Sequence, residues 1–420
     1  MARHPTVIVE NFRSLQGRHE IEIAPVTILV GSNSSGKTAM LAAIAAALRH
    51  AVPDVSLLAV EPFELATPQS IITERKDSAH MVLGVRDDTA GPPVESEARY
   101  EVTGRRLRLN SGFVRVADRE VVKVKENPRR RVTVTWRADA SKKGRGEILV
   151  VAYYSIPSEF IDSLVNMAIR DARDQTRRNQ KESLDTSRPA KDMVWPRDVR
   201  PLAPVRSRPQ RMYDEGIRQW SPEGLTAIAN LEGTLRSRSR GSRTVTELLN
   251  AFAKEAGLFE QLRTKSFSTP AGRHFSLIVD TGSGKRTLQD VGYGISQVLP
   301  IVAEVLASSN EAFIIIQQPE VHLHPSSQAA LSSFFVESAV KSNRRFVIET
   351  HSDYIVDRVR VEVAEGNISP DDVRIYYLEL LDGATHVTRI NVDKTGGFVD
   401  PPQDFRAFFL EEQRRLLGLR

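Results

Sequence analysis

Eight consecutive residues, Gly31-Ser32-Asn33-Ser34-Ser35-Gly36-Lys37-Thr38, match the spacing G-x-x-x-x-G-K-[ST]. Small side chains let the backbone N–H groups of such a loop turn inward around a phosphate. A helix starting there adds unpaired donors and a favourable dipole. Lys37 is placed to reach the outer phosphates of a nucleotide, and the Thr38 hydroxyl to sit on Mg2+. Gly282-Ser-Gly-Lys285 echoes the end of this motif without its spacing or its helix, and reads as a hairpin turn.

A phosphate loop that does chemistry also needs a metal ligand and a group to activate water, set at the end of a neighbouring strand. Phe313–Ile316 is the apolar candidate, followed by Gln317-Gln318-Pro319-Glu320-Val-His322-Leu-His324-Pro325. Gln317 can coordinate a metal through its carbonyl, but neither it nor Gln318 accepts a proton as a carboxylate does. The pair therefore implies good nucleotide binding with slow turnover, and leaves Glu320 as the nearest carboxylate. A later strand, 346–348, leads into Glu349-Thr350-His351-Ser352, where a polar residue can sense the terminal phosphate. Between them, Asp290-Val-Gly292-Tyr-Gly294-Ile-Ser296-Gln297 opens a helix and offers a second phosphate-binding surface. One protomer has no second nucleotide to give it, so it would cap the nucleotide of another copy. Glu320-x-His322-x-His324 could also be read as a transition-metal site, a weaker reading. Ser296, His351 and Asp353 have no nucleophile-elbow context that would support triad chemistry.

The elements that must position these residues follow from periodicity. Val26–Val30 is a continuous apolar run, a buried strand. Thr38–Leu48 is a helix with Leu41, Ile44 and Leu48 on one face. Val7–Val9 pairs with Glu20–Ile23 as a short hairpin. Residues 78–150 alternate as an antiparallel sheet. Ile295–Leu306 and Gln328–Val340 are helices, and Arg345–Glu349 is a strand. Phe275–Asp280 pairs with Lys285–Leu288, and Asp382-Gly383 turns the strand 374–379 back towards Ile390. Three segments result: 1–156, carrying the phosphate loop and the antiparallel sheet; 157–262, a charged, proline-interrupted helical lobe; and 263–420, where the α/β pattern returns. The fold class is α/β, a P-loop type with a mixed central sheet, a second antiparallel sheet and this inserted lobe.

At 420 residues, with 40% hydrophobic and 26% charged, the chain can bury a large core. It contains no cysteine, which excludes disulfides, thiolate metal sites and cysteine nucleophiles. No apolar run approaches the length of a membrane span, and the start, Met1-Ala-Arg-His-Pro, lacks a signal-peptide core. A cytoplasmic protein without a membrane partner is expected. The net charge is +5. Basic residues cluster at Arg105-Arg106, Lys123/Lys125, Arg129–Arg131, Lys142-Lys143 and Arg236/Arg238/Arg240/Arg243. The strand-rich clusters suggest a nucleic-acid surface on the antiparallel sheet.

Taken in order, Asn11-Phe-Arg13, the phosphate loop, Val-Gly-Tyr-Gly-Ile-Ser-Gln-Val-Leu-Pro, Gln-Pro-Glu-Val-His-Leu-His-Pro and Glu-Thr-His-Ser resemble the ABC-type ATPase heads of the overcoming-lysogenization-defect (OLD-like) class, relatives of the RecF and SMC heads. Leu202-Ala-Pro-Val-Arg206-Ser-Arg-Pro209 and Asn391-Val-Asp…Gly396-Gly397-Phe398 are similar to segments of the same ATPases. The resemblance implies ATP and Mg2+ as cofactors, held by Lys37 and Thr38. It makes Gly294 and Ser296 part of a signature motif that completes the partner copy's site. It places His324 at the D-loop, His351 as the switch histidine and Arg13 at the nucleotide, with Gln69 as the candidate for the glutamine loop. It further implies an ATPase that assembles as a homodimer or higher homo-oligomer and controls an effector, a nuclease or toxin, in bacterial anti-phage defence. A RecF-like DNA clamp is the alternative.

Overall fold

The computed structural model describes residues 4–50, 52, 61–63, 80–89, 92–103, 106–117, 119–126, 132–137, 145–150, 161–170, 197–214, 220–237, 240–270, 272–407 and 414–417. Among the described residues, nine strands come from the first 150: β1 (Thr6–Phe12), β2 (Leu15–Glu22), β3 (Val26–Gly31), β4 (His80–Asp87), β5 (Val94–Thr103), β6 (Arg106–Val116), β7 (Arg119–Glu126), β8 (Val132–Arg137) and β9 (Arg145–Val150). The chain forms two compact units. The first comprises residues 1–24, 36–201 and 380–386; the second comprises 25–35, 202–379 and 387–420. This division cuts across the three segments expected from the sequence.

The first unit is built on an antiparallel sheet of order β2-β1-β4-β5-β6-β7-β8-β9. Val114, Val116, Val122 and Val124 are buried while Arg115, Lys123 and Lys125 between them are exposed, the period-two pattern of a half-buried sheet. The helix α1 (Lys37–Arg49) packs on β1 and β4. Every residue from Ala39 to Leu48 is buried, more than the single face expected, because alanine at 42, 43 and 45–47 lets neighbours approach on all sides. Two polar pairs are also buried here. His50 Nδ1 lies 2.6 Å from Asp162 Oδ2, Asp162 belonging to α2 (residues 161–170). Arg197 lies 2.8 Å from Asp87.

The second unit contains the strands that carry the candidate chemistry. β10 (Val199–Leu202) has only its last residue in this unit; β15 (Phe313–Gln317), β16 (Arg345–Glu349), β3, β17 (Val373–Leu381), β18 (Ala384–Val392) and β19 (Phe398–Val399) follow one another in the sheet order. Its central members β15, β16, β3 and β17 are mutually parallel. That suits their near-unbroken apolar sequences, since parallel strands are covered on both faces. A second sheet joins β11 (Tyr213–Asp214), β12 (Gln261–Thr269), β13 (Gly272–Asp280) and β14 (Lys285–Thr287). The Gly282–Lys285 stretch is the β13–β14 turn, as its sequence suggested.

The helices among its described residues include α3 (Leu225–Arg236), α4 (Arg240–Glu255), α5 (Tyr293–Ala307), α6 (Pro325–Ser342) and α7 (Asp353–Ala364). Ile28, Ile314 and Ile348 share one apolar core with Ile228, Phe252, Val302 and Phe335. The segment 157–262, expected as a helical lobe, is helical at α2, α3 and α4 but also supplies β10 and β11. Its helices α3 and α4 carry Ile228, Leu231, Leu249 and Phe252 into the core of the second unit, so they are part of that core. No helix among the described residues is long and apolar enough to cross a membrane.

Candidate functional site

Parallel α/β sheets bind ligands at the carboxyl ends of their strands, and here those ends carry the residues singled out by sequence. Gln317 closes β15 and is paired in register with Glu349, which closes β16; Glu349 is paired in turn with Leu29 of β3. Two residues beyond Leu29, Gly31 starts the phosphate loop beside Leu378 of β17. A Cβ at Gly31 would lie 2.0 Å from the Leu378 carbonyl oxygen, and its φ is +147°. Only glycine fits, so the loop leaves the sheet against the neighbouring backbone. Gly31, Ser34 and Gly36 all have positive φ (147°, 62° and 96°), and Ser35 N bonds back to Ser32 O at 3.4 Å. This backbone winds as a phosphate-cradling loop must, and Ser32, Asn33, Ser34 and Ser35 leave it free of bulk.

Gly36 belongs to the first unit and caps α1. Its missing Cβ makes room for Thr385 Oγ1 and Ser14 Oγ, at 2.4 and 2.9 Å from where that atom would be. Lys37, only 3% exposed, opens the helix, followed by Thr38. A buried lysine at a helix N-terminus, behind a loop of small residues, fits an anionic phosphate group. Arg13, also in the first unit, has φ +54°, and burial lowers the pKa of its guanidinium. Gln69 lies outside the described residues.

Beyond β15 the chain reverses. Gln318 has φ +43°, a left-handed conformation uncommon for a side chain with a Cβ. Its N–H donates to Glu349 O at 2.8 Å. The reversal returns Glu320 to the end of β16, where Oε1 accepts the His351 N–H at 2.8 Å. Glu320 Oε2 is buried and has no hydrogen-bond partner among the described residues. Burial raises the Glu320 pKa; the His351 amide, Thr350 hydroxyl and nearby Arg206 charge act the other way. Thr350 N bonds Leu29 O at 3.1 Å, fixing the segment after β16 to β3. The His351 side chain is exposed. Ser352 caps α7 by accepting from Ile355 N.

His324 caps α6, accepting from Ser326 N at 3.3 Å, while Glu320 is engaged with His351. His322 meets the Tyr293 ring edge-on, at 4.7 Å between centroids. Gly294 packs where a Cβ would sit 2.9 Å from His322 O, so the signature segment lies against the 318–324 loop. Gly292 and Tyr293 are exposed at the N-terminus of α5. Ser296 is buried and its hydroxyl donates to Tyr293 O at 2.7 Å.

Gln317, Gln318, Glu320 and His351 are therefore brought together with Gly31–Ser35 in one unit, with Gly294 alongside. The sequence reading gave no role to Arg206. This arginine is 3% exposed, and its guanidinium donates to three main-chain carbonyls: Pro204 (2.7 Å), Gln317 (2.9 Å) and Gln318 (3.2 Å). Burial lowers its pKa to about 10, partly offset by Glu320. The available signal was one arginine in the otherwise apolar run Leu202-Ala-Pro-Val.

In the described part of the basic sheet several cations sit beside carboxylates. Arg115 lies 3.0 Å from Glu95, Lys123 3.5 Å from Glu120, and Arg86 2.7 Å from Glu20. Lys125 is exposed. Arg105, Arg129–Arg131 and Lys142-Lys143 lie outside the described residues.

Residues 26–357 match a family model described as "AAA domain, putative AbiEii toxin, Type IV TA system". The match spans most of the chain, and the chain belongs to this family. Its fold is mixed α/β with several sheets, and the family is one of P-loop (AAA) domains. No curated protein matches the sequence. Among solved structures, an SMC head bound to the C-winged helix domain of ScpA is similar at 12% identity and TM-score 0.49, over 93% of this chain and 98% of that one. The SMC head domain from Thermotoga maritima is similar at 10% identity and TM-score 0.44, over 93% and 100%. An SMC head with an extended coiled coil, bound to the C-terminal domain of ScpA derived from Pyrococcus furiosus, is similar at 12% identity and TM-score 0.41, over 99% of each chain.

Proposed function

We propose that this chain is an ATP-dependent switch, an ATPase that turns over slowly and controls an effector protein. The observation that carries this reading is the convergence of Gly31, Gln317, Glu349 and the Glu320–His351 contact at the carboxyl ends of three adjacent parallel strands. Main-chain N–H groups of residues 31–36 and the Lys37 ammonium bind the phosphates. Thr38 through its hydroxyl and Gln317 through its carbonyl are each of a type that would hold Mg2+, and Arg13 would contribute to the nucleotide. MgATP, when bound, supplies the phosphoanhydride whose cleavage resets the switch. Glu320 stands in for the carboxylate missing at 317 and 318: buried and anchored by one oxygen, it keeps the other to accept a proton from water. His351, whose N–H holds Glu320, reports on the terminal phosphate.

The exposed start of α5 supports assembly through a second copy of this chain, Gly294 and Ser296 belonging to the helix that completes the facing site. The family description supports a toxin-linked role, and the effector is a nuclease or toxin of an anti-phage system. Titration calorimetry with MgATP, on the parent and on Lys37→Ala, tests the binding step. Sedimentation with and without nucleotide tests assembly. Uptake by the parent, its loss in Lys37→Ala and nucleotide-dependent growth in mass are expected; absence of uptake by the parent refutes the reading.

A further inference from the structure

Arg206 is a charged group almost removed from water, yet its three acceptors are neutral carbonyls. Burying a guanidinium is costly unless its donors are used, so its placement calls for a reason. Two of its acceptors are the carbonyls of the residue that ends β15 and the residue with left-handed backbone that follows. The reversal at Gln318 is thus held from two sides, by Glu349 O on its N–H and by Arg206 on its carbonyl. Glu320 reaches His351 only because the chain reverses there.

Arg206 also sits on a segment stitched to the signature helix. Ala203 N bonds Pro222 O at 3.0 Å and Ser207 N bonds Glu223 O at 3.1 Å. A Cβ on Gly224 would lie 2.5 Å from Pro300 Cβ of α5. One side chain therefore joins the end of β15 and the turn after it to the segment that packs on α5.

We propose that Arg206 is a positioning residue, whose guanidinium sets the Gln317–Glu320 turn through its main-chain carbonyls and ties that turn to the segment packed on α5. The assignment rests on the ATPase reading for its catalytic consequence, though not for its structural one. A planar fork reaching several carbonyls is a property of arginine that lysine lacks. Misplacing reacting groups by about 1 Å can cost about 100-fold in rate.

The test compares the full-length parent with Arg206→Lys and Arg206→Gln. Amide hydrogen exchange is read on peptides covering 313–323, with peptides covering 26–30 and 345–349 as internal references. In both variants the 317–321 amides should exchange at least about tenfold faster while the reference strands stay protected, Arg206→Gln more than Arg206→Lys. Single-turnover hydrolysis of radiolabelled ATP should fall about 100-fold in Arg206→Gln, with nucleotide affinity within twofold of the parent. Unchanged exchange over 317–321 overturns the assignment. So does a uniform rise across the reference strands, which marks general destabilisation. A parent that takes up no nucleotide defeats the ATPase reading, and the exchange measurement still decides the role of Arg206.

Discussion

Replacing Gln317 with glutamate isolates what the amide does. Gln317 is 6% exposed and its in-register neighbour Glu349 is 4% exposed. Paired residues on adjacent strands lie about 5 Å apart. Two carboxylates at that separation repel by about 3 kcal/mol at an effective dielectric of about 20. With no cation present, Gln317→Glu should therefore weaken the second unit by up to about 3 kcal/mol, less whatever protonation relieves. For a unit of this size that is a fall of about 6–12 °C in melting temperature. Mg2+ with nucleotide should recover the loss, because a divalent cation between the carboxylates turns repulsion into ligation. A carboxylate at this strand end also restores proton-accepting capacity, so turnover should rise by about 10²–10⁴-fold. The assay is paired: thermal unfolding with EDTA and with MgATP, and phosphate release at saturating ATP. Equal turnover in both proteins refutes the reasoning about slow hydrolysis. An equal melting temperature in EDTA refutes the electrostatic account.

Gly31→Ala places a Cβ 2.0 Å from the Leu378 carbonyl oxygen. Backbone must shift, and about 1–3 kcal/mol or more should be lost, seen as a lower denaturation midpoint with loss of nucleotide uptake in calorimetry. Glu320 has its pKa raised by burial above the ordinary value of 4.5. The folded state then holds its proton more tightly than the unfolded state. Stability from this group is full below pH 4.5 and is lost as pH rises through the raised value. Glu320→Gln should remove that decline in melting-temperature profiles from pH 4 to 8, while abolishing the residual turnover. Asp87 is buried, which alone would raise its pKa, but Arg197 and Thr89 outweigh this and lower it. Its contribution is present above pH 3.8 and lost as pH falls. Asp87→Asn removes the negative charge facing Arg197 in a buried pair and should cost about 3–5 kcal/mol by urea unfolding.

The local pieces of the site were legible because each depends on a few adjacent residues. A loop of small residues with the G-x-x-x-x-G-K-[ST] spacing, set between an apolar run and a helix, is the local signature expected of a phosphate cradle. Gln317 and Gln318 lack a carboxylate whatever surrounds them. The β16 strand, Arg345–Glu349, follows from its own apolar pattern, and the Asp382-Gly383 turn from the positive φ both residues adopt.

Tertiary structure decided the rest, because burial and register depend on residues far apart in the chain. The pairing of Gln317 with Glu349, and of Glu349 with Leu29, is a property of strand order in the sheet. The reversal at Gln318 that brings Glu320 to His351 is held by a carbonyl of β16 and by an arginine more than a hundred residues earlier. Helices α3 and α4 read as a charged, proline-broken lobe from composition. Their apolar residues are spaced to fill a core whose other walls come from β3 and α6, and no local pattern names the wall a face will meet. The sequence thus determined which groups could do chemistry, and the sheet determined which of them stand together.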